Sequence, residues 1–252
     1  MKVKEIIKRI LYYVSVPKCV LCKEKLDYED RGLCKTCKSV YEEHKMRNCP
    51  HCSMVLSECN CTYEVLESHG IKNLVKLFRY SKTEQSQPSN YLIYSLKQDN
   101  RSDVISFLAD ELSEALRRII DPKIEYVITN VPRRRKAKVN FGYDHARVLA
   151  REVSKRLGVE YVELLRSMAK KSQKSVYGAE RIRNANFDYV SKMDYSLRGK
   201  HVILIDDIVT TGASMSNCAT LIKGLRPKRI IGACLGVAYR EPYIKFDRSA
   251  YK

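Results

Sequence analysis

The chain lacks any run of 18 apolar residues, so no membrane-spanning helix is expected. Neither G-x-x-x-x-G-K-[ST] nor G-x-G-x-x-G occurs, which argues against a Walker loop and a dinucleotide fingerprint. Internal repeats beyond paired cysteines are absent, as are low-complexity tracts. Acidic residues are scarce, with 29 Asp and Glu against 47 Lys and Arg for a net charge of +18. The first residues, Met1 to Val14, lack the features of a secretory leader. Their apolar core is short and broken by Lys8 and Arg9, and no A-x-A site follows. Ile6, Ile7, Ile10, Leu11 and Val14 instead share one helical face, expected to dock on the protein's own core. A basic amphipathic helix on a membrane surface is the alternative.

What is present is a tight cluster of cysteines. Eight of the 10 lie between Cys19 and Cys61, while Cys218 and Cys234 stand apart in apolar surroundings. Paired cysteines without a secretory signal favour metal over disulfides. Cys19-x-x-Cys22 and Cys34-x-x-Cys37 are two knuckles 11 residues apart, and two such turns close a tetrahedral Zn²⁺ site. Cys49-x-x-Cys52 and Cys59-x-Cys61 form a second, tighter set, for which His51 or His44 is a substitute ligand. Sequential quartets are the simplest pairing, with an interleaved one left open. All-Cys sites are coordinatively closed, so the expected role of one or two zinc ions is structural, stapling a segment poor in large apolar side chains. With 252 residues the chain has room for this module, residues 1–62, and one sizeable α/β domain, residues 63–252.

The most telling run is Val202 to Ser214. His201 to Ile205 reads as a buried parallel strand, Asp206 and Asp207 stand at its end, and a turn around Gly212 leads into a helix from about Met215 to Leu225. Such a helix start presents amide N–H groups and a favourable dipole to a phosphate. Thr210, Thr211 and Ser214 add hydroxyls, and Gly212, beside Ala213, permits close backbone approach. Asp206 and Asp207 are placed to accept from ribose hydroxyls or to help hold Mg²⁺. A merely capped α/β turn is the bland alternative. The hydrophobic–acidic–TTGAS layout resembles the phosphoribosyl pyrophosphate (PRPP) signature of type I phosphoribosyltransferases, and that resemblance supplies the ligand's identity.

Further strands are expected at Lys72–Tyr80, Tyr126–Thr129, Tyr161–Leu165 and Arg229–Val237, with helices at Tyr91–Lys97, Val104–Ile120 and Ala146–Leu157. Alternation of this kind predicts a parallel sheet with helices on both faces. The charge is concentrated: residues 131–184 hold 15 Lys or Arg against five Asp or Glu. A loop leaving the strand at Tyr126–Thr129 faces the same crevice as Asp206, and Arg133, Arg134 and Lys136 there suit a pyrophosphate. Asp144-His145 reads as a helix cap with a packed histidine, or as a carboxylate-oriented base. The polar segment from Lys170 to Asn184, with Gln173, Lys174 and Arg181, reads as a functional loop able to bring cations over a departing pyrophosphate.

Zinc knuckles, Leu92-Ile93-Tyr94-Ser95-Leu96-Lys97, Val131-Pro132, Lys136 followed by Gly142 to Ala146, Gln173 with Glu180-Arg181 and Arg183-Asn184, and then TTGAS occur here in this order. In that order the chain resembles the ComF (competence protein F) family of phosphoribosyltransferase-like proteins over nearly its full length. Two departures are the C-x-C ending of the second ribbon, and Phe141-Gly142-Tyr143-Asp144-His145 where the family often has R-G-[FY]-N-Q. The resemblance implies a cytoplasmic factor of natural transformation that binds Mg²⁺–PRPP and handles incoming single-stranded DNA. Implied partners are a DNA-uptake helicase and recombination mediators, with recruitment to the inner face of the membrane through them. An active phosphoribosyltransferase of nucleotide salvage or nucleoside metabolism is the alternative, its acceptor not legible in the sequence.

Overall fold

The computed structural model describes residues 16–80, 87–99, 101–133, 144–168, 187–190 and 196–238, together with Tyr12. Five strands form one all-parallel sheet in the order β1-β7-β6-β2-β3. They are β1 (Ile71–Arg79), β2 (Tyr126–Asn130), β3 (Glu160–Tyr161), β6 (His201–Val209) and β7 (Arg229–Val237). A separate antiparallel pair, β4 (Leu165–Ser167) and β5 (Phe187–Tyr189), lies beside it. The central strands β2, β6 and β7 are near-continuous Val, Ile and Leu runs because both faces are covered, as parallel sheets require.

One face carries α1 (Lys35–Lys45), α3 (Pro88–Gln98), α4 (Ser102–Arg117) and α5 (His145–Leu157), and the other carries α2 (Glu64–Ser68) and α6 (Ala213–Gly224). Helix α4 offers Val104, Ile105, Leu108, Leu112 and Leu116 as its buried stripe. Helix α3 starts at Pro88, whose fixed φ and missing N–H suit a first turn. Helix α5 starts under an Asp144 cap and ends at Gly158, in the left-handed region at φ 66°.

The parallel sheet with flanking helices is the architecture expected from the sequence. Three local expectations are corrected. Strand β6 does not stop at Ile205 but runs to Val209, because β7 stays in register with it as far as Val209↔Val237. The stretch Tyr161–Leu165 is not one strand. Val162 N–H still bonds the Ile128 carbonyl at 2.9 Å, after which the chain leaves the main sheet and Leu165 opens β4. Helix α3 starts at Pro88, three residues ahead of the expected start at Tyr91. The expected amphipathic face of residues 6–14 lies outside the described residues.

The cysteine-rich segment shares the core of the sheet. Val20, Leu26, Leu33 and Tyr41 join the buried cluster of α3, α4 and α5, while Cys49, Leu56 and Cys59 join that of α6. Tyr41 makes edge contacts with Phe78 and Phe107, at ring-centroid distances of 6.2 and 5.3 Å.

Candidate phosphate cleft and metal centres

Strand β2 ends at Asn130, opposite Ile205, while β7 continues alongside β6. The last four residues of β6 are therefore paired on one edge only, and Asp206 and Asp207 sit where the sheet opens. This is the crevice at the carboxyl ends of parallel strands where ligands bind in α/β sheets. A cleft of about 290 Å³ lies there, lined by Lys97, Val131, Pro132, Arg133, Asp144, Phe187, Asp206, Asp207 and Ser214 among others. Beside it, Asp206 and residues 208–215 form a cup of about 40 Å³ around the turn. Ser214 lines both spaces.

Thr210, Thr211, Ala213 and Ser214 are exposed on the cup's rim, and Gly212 is buried beneath it at φ 77°. Gly212 is fixed twice over. Its backbone conformation disfavours any side chain, and a Cβ there would come within 2.9 Å of Val65 Cγ1 and 3.2 Å of Leu66. The turn leads directly into the 12-residue α6, whose first amides add donors and a favourable dipole.

The two carboxylates have different surroundings. Asp206 faces the same side of the sheet as its register partner Cys234, and its carboxyl is pushed well above the usual range by burial and then by neighbouring Asp207. Asp207 forms an ion pair with Lys97 Nζ at 3.0 Å. Its Oδ1 accepts from the Ile208 N–H at 2.7 Å. Lys97, at the end of α3, is the site residue that sequence reasoning did not assign. It stood inside a quoted motif, and only the fold brings it to the acidic pair.

Arg133 lines the cleft together with Asp206 and Asp207. Its N–H donates to Asp144 Oδ2 at 3.0 Å, and Asp144 Oδ1 accepts from Arg147 N–H at 3.3 Å. Asp144 thus caps α5 and ties the start of that helix to Arg133. His145 is fully buried, its ring held between the Arg133 guanidinium and the Lys97 carbonyl. Packed between these groups, it matches the capping alternative rather than the free-base one. Arg134 and Lys136 of the basic turn, and Gln173, Lys174 and Arg181 of the polar loop, lie outside the described residues.

The eight clustered cysteines form two sequential quartets, Cys19/Cys22/Cys34/Cys37 and Cys49/Cys52/Cys59/Cys61, each with all sulfurs within 4.8 Å of one another. Neither His51 nor His44 belongs to a quartet. The knuckles are built alike. In each, the first Cys N–H bonds a carbonyl five residues on, Glu24 or Met54, at 2.7 Å. The residue after the second Cys, Lys23 or Ser53, is left-handed and donates back to the first Cys carbonyl. Cys22 and Cys34 sulfurs are 3.7 Å apart, and Cys52 and Cys59 sulfurs 3.4 Å. Four thiolates at zinc–sulfur distances of about 2.3 Å lie roughly 3.8 Å apart, so the donor sets fit zinc. Burial pushes the Cys37 and Cys61 thiols up, while one thiol in each quartet is drawn down: Cys19 to about 7, where backbone N–H groups overcome burial, and Cys49 to about 4 by a hydrogen bond from Cys59.

The phosphoribosyl transferase domain family matches residues 144–250, which include the cup and the acidic pair. The DNA utilization protein YhgH of Escherichia coli K12 is 23% identical over 209 residues, covering 81% of this chain and 89% of that protein. Competence protein ComFC of Streptococcus pneumoniae is 25% identical over 221 residues, covering 82% and 93%. Competence protein F of Haemophilus influenzae is 24% identical over 226 residues, covering 84% and 93%. The chain resembles the ComF proteins over most of its length. This ComF-like chain joins a phosphoribosyl transferase-like fold to two cysteine clusters able to hold metal. Among its described residues no helix is long and apolar enough to cross a membrane.

Proposed function

We propose that this chain binds Mg²⁺–PRPP in the cleft at the end of β6, and serves a ComF-like role in handling single-stranded DNA. The carrying observation is the joining of a phosphate-sized cup to a larger cleft across Asp206 and Ser214. The sugar phosphate sits in the 210–214 turn on hydroxyl and amide donors, and Asp206 and Asp207 face the ribose and its Mg²⁺. Arg133 takes the pyrophosphate end, joined by Arg134 and Lys136 from the sequence reading. Lys97 neutralises Asp207, the carboxylate that together with Asp206 would hold Mg²⁺. The DNA role rests on similarity to competence and DNA utilization proteins and on the basic excess of the chain.

Calorimetric titration of the metal-loaded chain with Mg²⁺–PRPP tests the first part. Binding by the native chain and loss of it in a folded Asp207→Asn variant is the expected result; equal binding by both removes the acidic pair from the site. For the second part, Arg133→Ala should flatten the salt dependence of oligonucleotide binding by a slope of roughly 0.7 for a lost phosphate contact. An unaltered slope would take Arg133 off the DNA path. Phosphoribosyl transfer to an acceptor is a second reading, favoured by the extra room beside Phe187 and Val131. Release of pyrophosphate on adding an acceptor would establish it.

A further inference from the structure

Lys76 is a lysine inside the protein, 2% exposed, on edge strand β1. Its ammonium donates to the Cys59 carbonyl at 3.0 Å, the Cys61 carbonyl at 2.8 Å, the Leu74 carbonyl at 3.2 Å and the Cys59 sulfur at 3.4 Å. A buried ammonium is costly without negative charge nearby. Four thiolates around a divalent ion carry net negative charge, and the second quartet is where Lys76 points. Three residues beyond Cys61, the chain enters α2, and that helix lies on the phosphate turn. Ser216 Oγ donates to the Val65 carbonyl at 3.0 Å, and Val65 and Leu66 fill the space over Gly212. Asn60 is also tied to the sheet, its carbonyl accepting from Leu74 N–H at 3.2 Å.

We propose that the second cysteine quartet, locked by Lys76 and acting through α2, positions the 210–214 phosphate turn, whereas the first quartet does not. Emptying the second quartet frees residues 59–68 from β1 and lets the turn around Gly212 relax. Val65, Lys76 and Ser216 are then positioning residues for the phosphate site. This inference rests on the proposed phosphate site for its consequence in binding, but not for the mechanical coupling itself.

The test compares three full-length variants with the native chain. Cys61→Ser opens the second quartet, Cys22→Ser opens the first, and Lys76→Met keeps all eight cysteines while deleting the cation. Metal per chain, amide hydrogen exchange across 210–216 and Mg²⁺–PRPP affinity are measured on each. In Cys61→Ser, exchange at 210–216 should quicken and PRPP affinity fall roughly tenfold. In Cys22→Ser, exchange should quicken near Gly32 and much less at 210–216. Lys76→Met should release metal to a chelator about tenfold faster, the size expected for an outer-shell partner, and quicken exchange at 210–216. Equal effects of the two cysteine variants on the turn, or native exchange there in Lys76→Met after faster metal release, would overturn the proposal. If Cys61→Ser fails to fold, Lys76→Met carries the comparison. If the native chain ignores Mg²⁺–PRPP, the function reading falls and exchange still decides the coupling.

Discussion

The two cysteine quartets have closely similar knuckles and attach to the sheet in different ways. The first is held through peptide groups outside its ligand set. Gly32 N–H donates to Asp103 Oδ2 at 3.0 Å, Arg101 donates to the Lys18 carbonyl at 2.6 Å, and Arg101 and Asp103 pair with each other. Tyr41 then plugs its helix into the aromatic contacts of the core. The second is held through its ligands, by a lysine on the carbonyls of Cys59 and Cys61 and the sulfur of Cys59. Each quartet buries two of its cysteines in the core, and the second is in addition gripped at its ligands by a side chain of the sheet. A metal site's influence is set by what grips its ligands more than by the ligands themselves.

Three single substitutions and one double variant break or sharpen this contrast. Cys49→Ser should have the largest effect. It weakens the negative cluster that compensates Lys76, and loss of one partner from a buried charge pair costs about 3–5 kcal/mol. Chemical denaturation with metal present would measure it, and a loss under about 1 kcal/mol would mean that Lys76 finds another anion. Asp103→Ala should cost less, about 1–3 kcal/mol for a stranded partner. Its effect should appear as faster proteolysis or exchange in residues 18–34 while the phosphate turn keeps native exchange. Gly212→Ala should be the smallest in stability, about 1–2 kcal/mol for a left-handed alanine, yet it should weaken ligand binding. Adding Val65→Ala should restore part of that binding by opening space over the turn, and no restoration would assign the whole effect to the backbone.

Much of this arrangement is legible in the residues. The run from His201 to Ser214 announces strand, acidic pair, turn and helix, because apolar continuity and turn chemistry are local signals. The cysteine spacing likewise yields two sequential quartets. Lysines are harder to read. Lys97 closes a helix whose other residues look like ordinary packing, and Lys76 sits in a weakly alternating strand, where the usual expectation for lysine is water. Their roles depend on groups about 15 and 110 residues away in sequence, Cys59 to Cys61 and Asp207. The extension of β6 past Ile205 was hidden for a related reason. Two carboxylates look like a strand end, and only the length of β7 keeps the ladder going. The division of Tyr161–Leu165 between two sheets depends on a partner, Phe187–Tyr189, that its own apolar pattern does not reveal.

The edge position of β1 has a consequence for how the chain comes to be folded. Its sheet neighbour is β7, with Ile71 opposite Ile230 and Val75 opposite Ala233. Of the strands in the main sheet, β1 leaves the ribosome first and must wait for the last one. During that interval both quartets are already synthesised, with ligands close enough in sequence to close on metal locally. Long-range parallel pairing is slow and leaves edges open to misassembly. The metal-closed segment ahead of Lys76 would act as a chaperone in cis, holding an unpaired strand until its partner emerges.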